Sequence, residues 1–377
     1  MLFRDIIGQK DLKLELIEMV NTERVPHAQL FLGPPGSGKL ALAIAFAQYL
    51  LCEGDKKEDA CGECASCSKV QKLILADLHF SFPFIGAKNT SNNFLSEWRL
   101  ALKDNPYMDV NQWLQLIGAE NKQGNINKEE CLNIIRKLSL KSFESKYKVL
   151  IMWLPEYLAK EGNRLLKLIE EPPENTFFIL VAENQELILN TILSRCQIVK
   201  INQLSDEDVV EGIMKQESLS IEQAKSIAYM ASGNFNEALQ LVDKKENDNA
   251  KLFLDWMRIC YKGNGAEMVP WVENFAGIGR ENQKHFLRYA LHFLREYMLV
   301  KLTGDQNLRL QDQELKTAIN LTKVIELHQI QEISTLFDDC YYHVERNANP
   351  KVLFLDASIE LNRILKTKTG SQVVKEA

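Results

Sequence analysis

The sequence predicts an α/β domain with a parallel sheet, followed by a small helical unit and an all-α region. Up to residue 203, short apolar runs alternate with helical segments, which is typical of a parallel sheet covered by helices on both faces. A glycine-rich segment separates the first apolar run from an apolar helix. Beyond Ser205 the apolar runs stop, and helical patterns continue to about Thr367.

The predicted strands are short apolar runs bounded by turn residues. They span residues 28–32, 78–82, 148–154, 176–182 and 197–201. Helices are predicted at 40–51, 126–138 and 157–171, and Pro172 and Pro173 stop the last one. Residues 84–127 hold two short amphipathic segments, 94–102 and 109–117. We interpret 84–127 as an insertion, to which the sequence assigns no role.

The chain after the sheet is predicted to form two helical domains. Ser205 and Ser220 indicate helix starts, and Gly233 indicates a helix stop before a third helix at 235–242. An apolar stripe in the second domain contains Phe286, Tyr289, Phe293 and Tyr297. The predicted domains are 1–203, 204–246 and 247–377, with a charged linker at 243–249 and a frayed tail at 367–377.

The composition is that of an ordinary soluble globular protein. Of the 377 residues, 46% are hydrophobic and 25% charged, and the net charge of −6 argues against a general binder of nucleic-acid backbones. No apolar run approaches the length of a membrane span, and the first residues lack the layout of a signal peptide. We therefore expect a cytoplasmic protein.

A phosphate-binding loop without its metal-binding hydroxyl follows the first predicted strand. Residues 33–39 fit the pattern G-x-x-x-x-G-K, but Leu40 stands where Ser or Thr would hold Mg²⁺. The alternative is a tight turn that binds no ligand. If nucleotide binds, Lys39 is its anchor, and binding is expected to be weak or absent. The candidate nucleotide-binding residues are Gly33, Gly36, Ser37, Gly38 and Lys39.

The third predicted strand lacks the acidic pair of an NTPase. Trp153 and Leu154 stand at its end, where carboxylates would coordinate Mg²⁺ and polarise water. Glu156 comes two residues too late, after Pro155. We interpret the segment as a core strand without a catalytic role.

Four cysteines crowd into residues 52–67 with the spacing C-x8-C-x2-C-x2-C. Four thiolates satisfy tetrahedral Zn²⁺ and leave no open position, so the predicted zinc site is structural. A redox pair or free thiols are the alternatives. The candidate ligands are Cys52, Cys61, Cys64 and Cys67, whereas Cys131, Cys196, Cys260 and Cys340 are expected to be packed thiols.

Arg195 lies in a turn before the last predicted strand. An arginine there is usually a solvated charge or a partner of a helix end. It could also reach into the nucleotide site of a neighbouring subunit, since its planar fork pairs with γ-phosphate oxygens.

These features together resemble the AAA+ clamp-loader family, most closely its delta-prime-type subunits in bacterial DNA polymerase III. The matching segments cover nearly the whole chain and are densest in residues 1–203. They are residues 5–9, 26–28, the phosphate loop, the four cysteines, 168–176, 192–196 and 346–350.

The resemblance implies a RecA-like AAA+ domain, a helical lid at 204–246 and a helical collar at 247–377. The collar would assemble a five-subunit ring with delta-type and gamma/tau-type subunits. Arg195 would be an arginine finger that acts in trans on an adjacent motor subunit. The sliding clamp and primer-template DNA would be partners through the complex, and no membrane would be involved.

Three positions depart from the family's motor subunits: Leu40, the pair Trp153-Leu154, and Asn236 in place of a lid arginine. The resemblance therefore implies a non-hydrolysing structural subunit that braces the ring. Two alternatives stay open. One is an ATP-hydrolysing motor-type subunit, which Leu40 and Trp153 disfavour. The other is a zinc-dependent nucleic-acid-binding protein, which the net acidity and the closed metal site disfavour.

Overall fold

The computed structural model describes residues 1–56, 58–119, 123–217, 219–243, 249–304, 310, 318 and 325–367. The chain divides into two compact units, Met1–Asp243 and Lys244–Ala377. The predicted linker at 243–249 and the predicted frayed tail at 367–377 lie outside the described residues, except for residues 243, 249 and 367.

The first unit contains a five-stranded parallel sheet with the order β2-β3-β4-β1-β5. The strands are β1 (Ala28–Leu32), β2 (Leu78–Ser81), β3 (Lys148–Trp153), β4 (Thr176–Ala182) and β5 (Gln197–Lys200). All five predicted strands are confirmed, and three of them end one residue earlier than predicted. The carboxyl ends of parallel strands lie at one edge of a sheet, so the residues that follow β1, β3 and β4 converge there.

Helices cover both faces of this sheet, as predicted. Along the central strands β1, β3 and β4 the side chains alternate between two apolar cores. Val149 and Ile151 of β3 join the core that contains the helix after β1, whereas Leu150 and Met152 face the opposite core. The helices of this unit are α1 (Lys10–Asn21), α2 (Lys39–Leu51), α3 (Ala65–Gln71), α4 (Leu95–Asp104), α5 (Val110–Leu116), α6 (Lys128–Ser139), α7 (Leu166–Glu170), α8 (Asn190–Leu193), α9 (Asp206–Gln216), α10 (Ile221–Ala231) and α11 (Phe235–Asp243).

The continuous helix predicted at 157–171 is wrong. The chain instead forms a 3₁₀ segment, Pro155–Leu165, followed by the short helix α7. Pro155 suits the first position of that segment because its φ is fixed, and Leu154 before it adopts a left-handed conformation. Ala159 interrupts the segment with a φ of 44° and a ψ of −135°, which no regular helix contains.

Helices α9 to α11 form the small helical unit that follows the sheet. The Ser205 hydroxyl caps α9 through the Asp208 N–H at 3.1 Å, and the Ser220 hydroxyl caps α10 through the Gln223 N–H at 3.2 Å. Gly233, at a φ of 76°, turns the chain between α10 and α11. Apolar residues of all three helices belong to the same core as α2. The predicted boundary at residue 203 stays a prediction, as does the division into three domains.

The described part of the second unit is helical. Its helices are α12 (Asn249–Lys262), α13 (Gly265–Ala276), α14 (Arg280–Thr303), α15 (Leu327–Glu345) and α16 (Pro350–Lys366). Trp256 anchors the core by stacking against Trp271 and Phe337 and by donating to the Ser358 hydroxyl at 2.8 Å. The predicted apolar stripe on α14 is buried. Among the helices described in either unit, none combines the length and the apolarity needed to span a bilayer.

Candidate functional site

The phosphate loop lies where the sequence predicts it, between β1 and α2. Gly33 is close to the strand end of β5, since a Cβ atom there would lie 2.6 Å from the Ile201 carbonyl oxygen. Gly36 and Gly38 have φ values of 69° and 83°, which strain any other residue. The Ser37 hydroxyl is buried and has no hydrogen-bond partner among the described residues. The backbone thus keeps the form of a cradle for phosphate oxygens.

Lys39 is engaged by the protein itself. The residue is 5% exposed, and its ammonium group donates to the Pro34 carbonyl oxygen at 3.0 Å and to Oε1 of Glu183 at 2.8 Å. Glu183 follows β4, so it reaches the loop from the neighbouring strand. The cation that would bind a phosphate is therefore neutralised by a carboxylate of the same chain.

The metal-binding edge of the site is apolar. Leu40, Trp153 and Leu154 are each buried, and the Leu154 N–H donates to the Val181 carbonyl oxygen at 2.8 Å. A backbone paired in this way and flanked by apolar side chains offers no carboxylate to Mg²⁺. The interpretation of β3 as a core strand agrees with this packing.

Two glutamates that the sequence analysis did not assign to the site lie beside the loop. The left-handed turn at Leu154 brings Glu156 to the end of β4, where its Oε1 accepts from the N–H groups of Glu183 and Asn184 at 2.6 and 2.9 Å. Burial raises the pKa of the Glu156 carboxyl. Glu156 therefore fixes the backbone of Glu183, the residue that holds Lys39. The sequence analysis gave Glu156 no catalytic role and did not predict its contact with the backbone of Glu183, which depends on the turn at Leu154.

The start of α11 lies directly on the phosphate loop. The Phe235 N–H donates to the Gly36 carbonyl oxygen at 3.1 Å, and any side chain at Gly36 would overlap Asn234. Asn236, which the resemblance aligns with an arginine of motor subunits, is buried. Its side-chain oxygen accepts a hydrogen bond from Nδ2 of Asn105 at 2.6 Å, so a residue of the segment 84–127 occupies that oxygen.

The four predicted cysteine ligands come together. Their Sγ atoms all lie within 4.8 Å of one another, between the end of α2 and the start of α3. Tetrahedral Zn–S bonds of about 2.3 Å would separate the sulfurs by about 3.8 Å, so the cluster fits one metal ion. Backbone N–H groups already point at three of the sulfurs: Cys61 N to Cys52, Cys64 N to Cys61, and Cys67 N to Cys64, at 3.3–3.4 Å.

The thiols of this cluster differ in acidity. Burial raises the pKa of Cys52 and of Cys67. At Cys64 burial acts in the same sense, but hydrogen bonds from the Cys67 and Glu53 backbone outweigh it and lower the pKa to about 6. Burial raises the pKa of the four other cysteines, to about 11 at Cys196 and about 12 at Cys131, Cys260 and Cys340. These four are packed thiols, as predicted.

Arg195 follows α8 and stays partly accessible, with 31% of its side chain exposed. Its Nε and Nη2 atoms each lie 2.8 Å from Oε2 of Glu170, and Nη1 donates to the Thr191 carbonyl oxygen at 2.9 Å. Glu170 ends α7. Its carboxylate therefore holds the guanidinium at the surface in a fixed direction.

Comparison with known proteins gives relatives of one kind. The chain is 27% identical over 251 residues to "DNA polymerase III subunit gamma" of Buchnera aphidicola, an alignment that covers 65% of this chain and 59% of that protein. It is 28% identical over 247 residues to "DNA polymerase III subunit tau" of Bacillus subtilis, covering 64% and 37%. It is 27% identical over 227 residues to "DNA polymerase III subunit delta'" of B. subtilis, covering 60% and 56%. The chain thus spans less than two thirds of the length of these relatives.

A sequence model of the family described as "DNA polymerase III, delta subunit" matches residues 8–205, which is more than half of the chain. The match includes the whole sheet, the phosphate loop, the four cysteines and Arg195. The resemblance to AAA+ clamp-loader subunits is thereby confirmed, and the chain belongs to the DNA polymerase III delta subunit family.

Proposed function

We propose that this chain is a delta-prime-type subunit of a bacterial clamp loader that does not hydrolyse ATP itself. The ion pair between Lys39 and Glu183 is the observation that carries the proposal. Phosphoryl transfer depends on charges positioned around the γ-phosphate and on a bound Mg²⁺. Here the loop lysine is neutralised, and Leu40, Trp153 and Leu154 supply no metal ligand.

We further propose that Arg195 completes the ATP site of a neighbouring motor subunit. A guanidinium that is partly exposed and held by one carboxylate can exchange that carboxylate for phosphate oxygens of similar geometry. Glu170 would therefore keep the side chain extended until the neighbour's nucleotide replaces it. Loss of such a finger lowers phosphoryl-transfer rates by about 10³-fold or more in enzymes that use one.

The partners follow from the family rather than from this chain alone. We propose that the second unit acts as the collar that joins delta-type and gamma/tau-type subunits in a five-membered ring. The assembled complex would open the sliding clamp and place it on primer-template DNA in the cytoplasm. This chain would contribute rigidity and one arginine to that work.

Zinc is the ion that we propose for the cysteine cluster. Cys52, Cys61, Cys64 and Cys67 would hold it, and as a closed four-thiolate site it would supply folding energy to the segment between α2 and α3 rather than catalysis.

One set of ATPase measurements tests the proposal. The purified chain alone is expected to show no turnover, and the complex with its motor subunits is expected to show turnover that Arg195→Ala abolishes. Turnover by the chain alone, lost in Lys39→Ala, would instead establish the motor-type subunit. Full activity of the Arg195→Ala complex would remove the finger from the mechanism and leave the structural role to be tested separately.

A further inference from the structure

The insertion contacts the phosphate loop through the turn that joins α4 to α5, residues 105–109. Tyr107 in this turn is 7% exposed. Its Cε1 atom lies 2.8 Å from the position of a Cβ atom at Gly38, so the ring rests on the backbone at the start of α2. The last glycine of the loop is therefore covered by an aromatic side chain from a segment far away in the sequence.

Tyr107 joins the loop to two further segments. Its hydroxyl oxygen accepts a hydrogen bond from the Ile7 N–H at 3.0 Å, and its ring meets the Phe235 ring at 4.9 Å and 61°. Burial raises the pKa of the Tyr107 hydroxyl to about 12, so it stays neutral at pH 7. The Tyr107 hydroxyl and ring thus link the phosphate loop to the segments that contain Ile7 and Phe235.

Polar groups hold this turn in place. Oδ1 of Asn105 accepts from the Tyr107 N–H at 2.9 Å, and Nδ2 of Asn105 donates to Asn236 at 2.6 Å. Nδ2 of Asn236 lies 3.5 Å from Oδ2 of Asp109, whose other carboxylate oxygen caps α5. Residues 105–109 are thus bonded to α11 on one side and to their own helix on the other.

We propose that residues 105–109 are a built-in plug of the nucleotide site. The plug covers the loop at Gly38 and connects it to α11 through Asn105 and Asn236. The phosphate cradle beneath it retains its glycines and the unpartnered Ser37 hydroxyl. The site is therefore covered rather than dismantled, and removal of the Tyr107 ring should uncover it.

This inference deepens the proposed non-hydrolysing role and rests on it only for the statement that the site has no turnover. Binding and turnover are separate measurements. A chain that binds nucleotide without hydrolysing it would overturn the plug and leave the proposed function intact.

The test compares the binding of ADP to the wild-type chain and to two variants by calorimetry, with and without Mg²⁺. The wild type and the control Tyr147→Ala are expected to bind no ADP up to about 1 mM. Tyr147 suits the control because it is half-buried and packs edge-on against Phe177 at 5.3 Å, on another part of the same unit. Tyr107→Ala is expected to gain at least about tenfold in affinity. Adding Lys39→Ala should remove that gain.

Two outcomes would overturn the plug: micromolar binding of ADP by the wild type, or no binding by a Tyr107→Ala chain that keeps its circular-dichroism spectrum. If Tyr107→Ala fails to fold, hydrogen exchange of the wild type decides. The Ile7 and Phe235 N–H groups are expected to exchange slowly, and their exchange rates should stay unchanged when millimolar ADP is added. A change in their protection on adding ADP would show that nucleotide displaces residues 105–109.

Discussion

The Nζ atom of Lys39 lies 2.8 Å from Oε1 of Glu183, so the chain supplies its own anion to the cation of its phosphate loop. Lys39 is almost fully buried, whereas 29% of the Glu183 side chain is exposed. A buried cation depends on its partner more than a partly exposed anion does, because the cation has lost more of its water. The two halves of this ion pair should therefore differ in what their removal does.

Replacement of Glu183 by Gln should destabilise the chain by about 1–3 kcal/mol, because it leaves the Lys39 ammonium buried without a charged partner. Lys39→Met should cost less, since it removes the buried charge and retains the apolar stem. Urea denaturation of the free chain measures both. Glu174→Gln, at an exposed position, is the control and should stay within about 0.5 kcal/mol of the wild type. Equal stabilities of Glu183→Gln and wild type would show that the pair contributes nothing to folding.

Arg195→Ala should reduce the ATPase rate of the assembled complex by about 10³-fold or more while changing the stability of the free chain by less than about 1 kcal/mol. The matched control is Arg164→Ala, since Arg164 is also an exposed arginine in an ion pair, 2.7 Å from Glu161. Its removal should leave the rate of the complex unchanged. Steady-state turnover with saturating primer-template DNA and clamp measures the rates. Equal losses in both variants would point to a general effect of surface charge.

Glu170→Gln separates the holding of Arg195 from its proposed action. The amide retains an acceptor for the guanidinium but loses the charge, so Arg195 should be less firmly directed in the free subunit. We expect a smaller loss of complex ATPase than in Arg195→Ala, within about tenfold. A loss as large as that of Arg195→Ala would make Glu170 itself a member of the neighbour's ATP site.

Local sequence patterns predicted the sheet because its central strands β1, β3 and β4 are buried on both faces. The runs at 28–32 and 176–182 are apolar except for Gln29 and Thr176, and β1 and β4 have those bounds. The segment 157–171 also has an apolar helical pattern, but tertiary packing holds Ala159 outside the helical region. A pattern of side chains records which face is buried, and it does not record a backbone conformation imposed by neighbouring elements.

The phosphate loop and the cysteines were predictable because each motif lies within a short stretch of sequence. The residues that contact the loop from elsewhere in the chain, Glu183 and Tyr107, were not predictable. Lys39 and Glu183 are 144 residues apart in the sequence, and Tyr107 and Ile7 are 100 apart. Residues so far apart form no local sequence motif. They meet only because the strand ends converge at one edge of the sheet and the segment 84–127 passes over the loop.

His79 gives the chain a dependence of stability on pH. Burial in β2, reinforced by Lys137 and Lys148 and opposed by Asp77, lowers the pKa of His79 to about 4. The unfolded chain binds a proton near pH 6.5, so the stability is fully present above that pH and falls as the pH drops toward 4. The loss at pH 5 should be about 2 kcal/mol. Urea denaturation at pH 7 and pH 5 should show it in the wild type and not in His79→Gln. A parallel loss in both chains would assign the effect to other groups.

The cysteine cluster should carry one zinc ion per chain. Removal of the zinc should unfold the segment between α2 and α3 before it affects the rest of the first unit. Cys64→Ser removes a ligand whose thiol ionises easily, with a pKa of about 6, so this variant should lose the metal and at least about 2 kcal/mol of stability. Cys196→Ser is the control, because the Cys196 thiol lies outside the cluster. This variant should keep the zinc. Elemental analysis gives the stoichiometry, and thermal denaturation with and without a chelator gives the stability.

The zinc site is closed, and its cysteines lie between α2 and α3, whereas Arg195 follows α8. A Cys64→Ser chain that still assembles should therefore support normal ATPase in its complex. Retention of zinc by Cys64→Ser would mean that the four sulfurs do not share one ion.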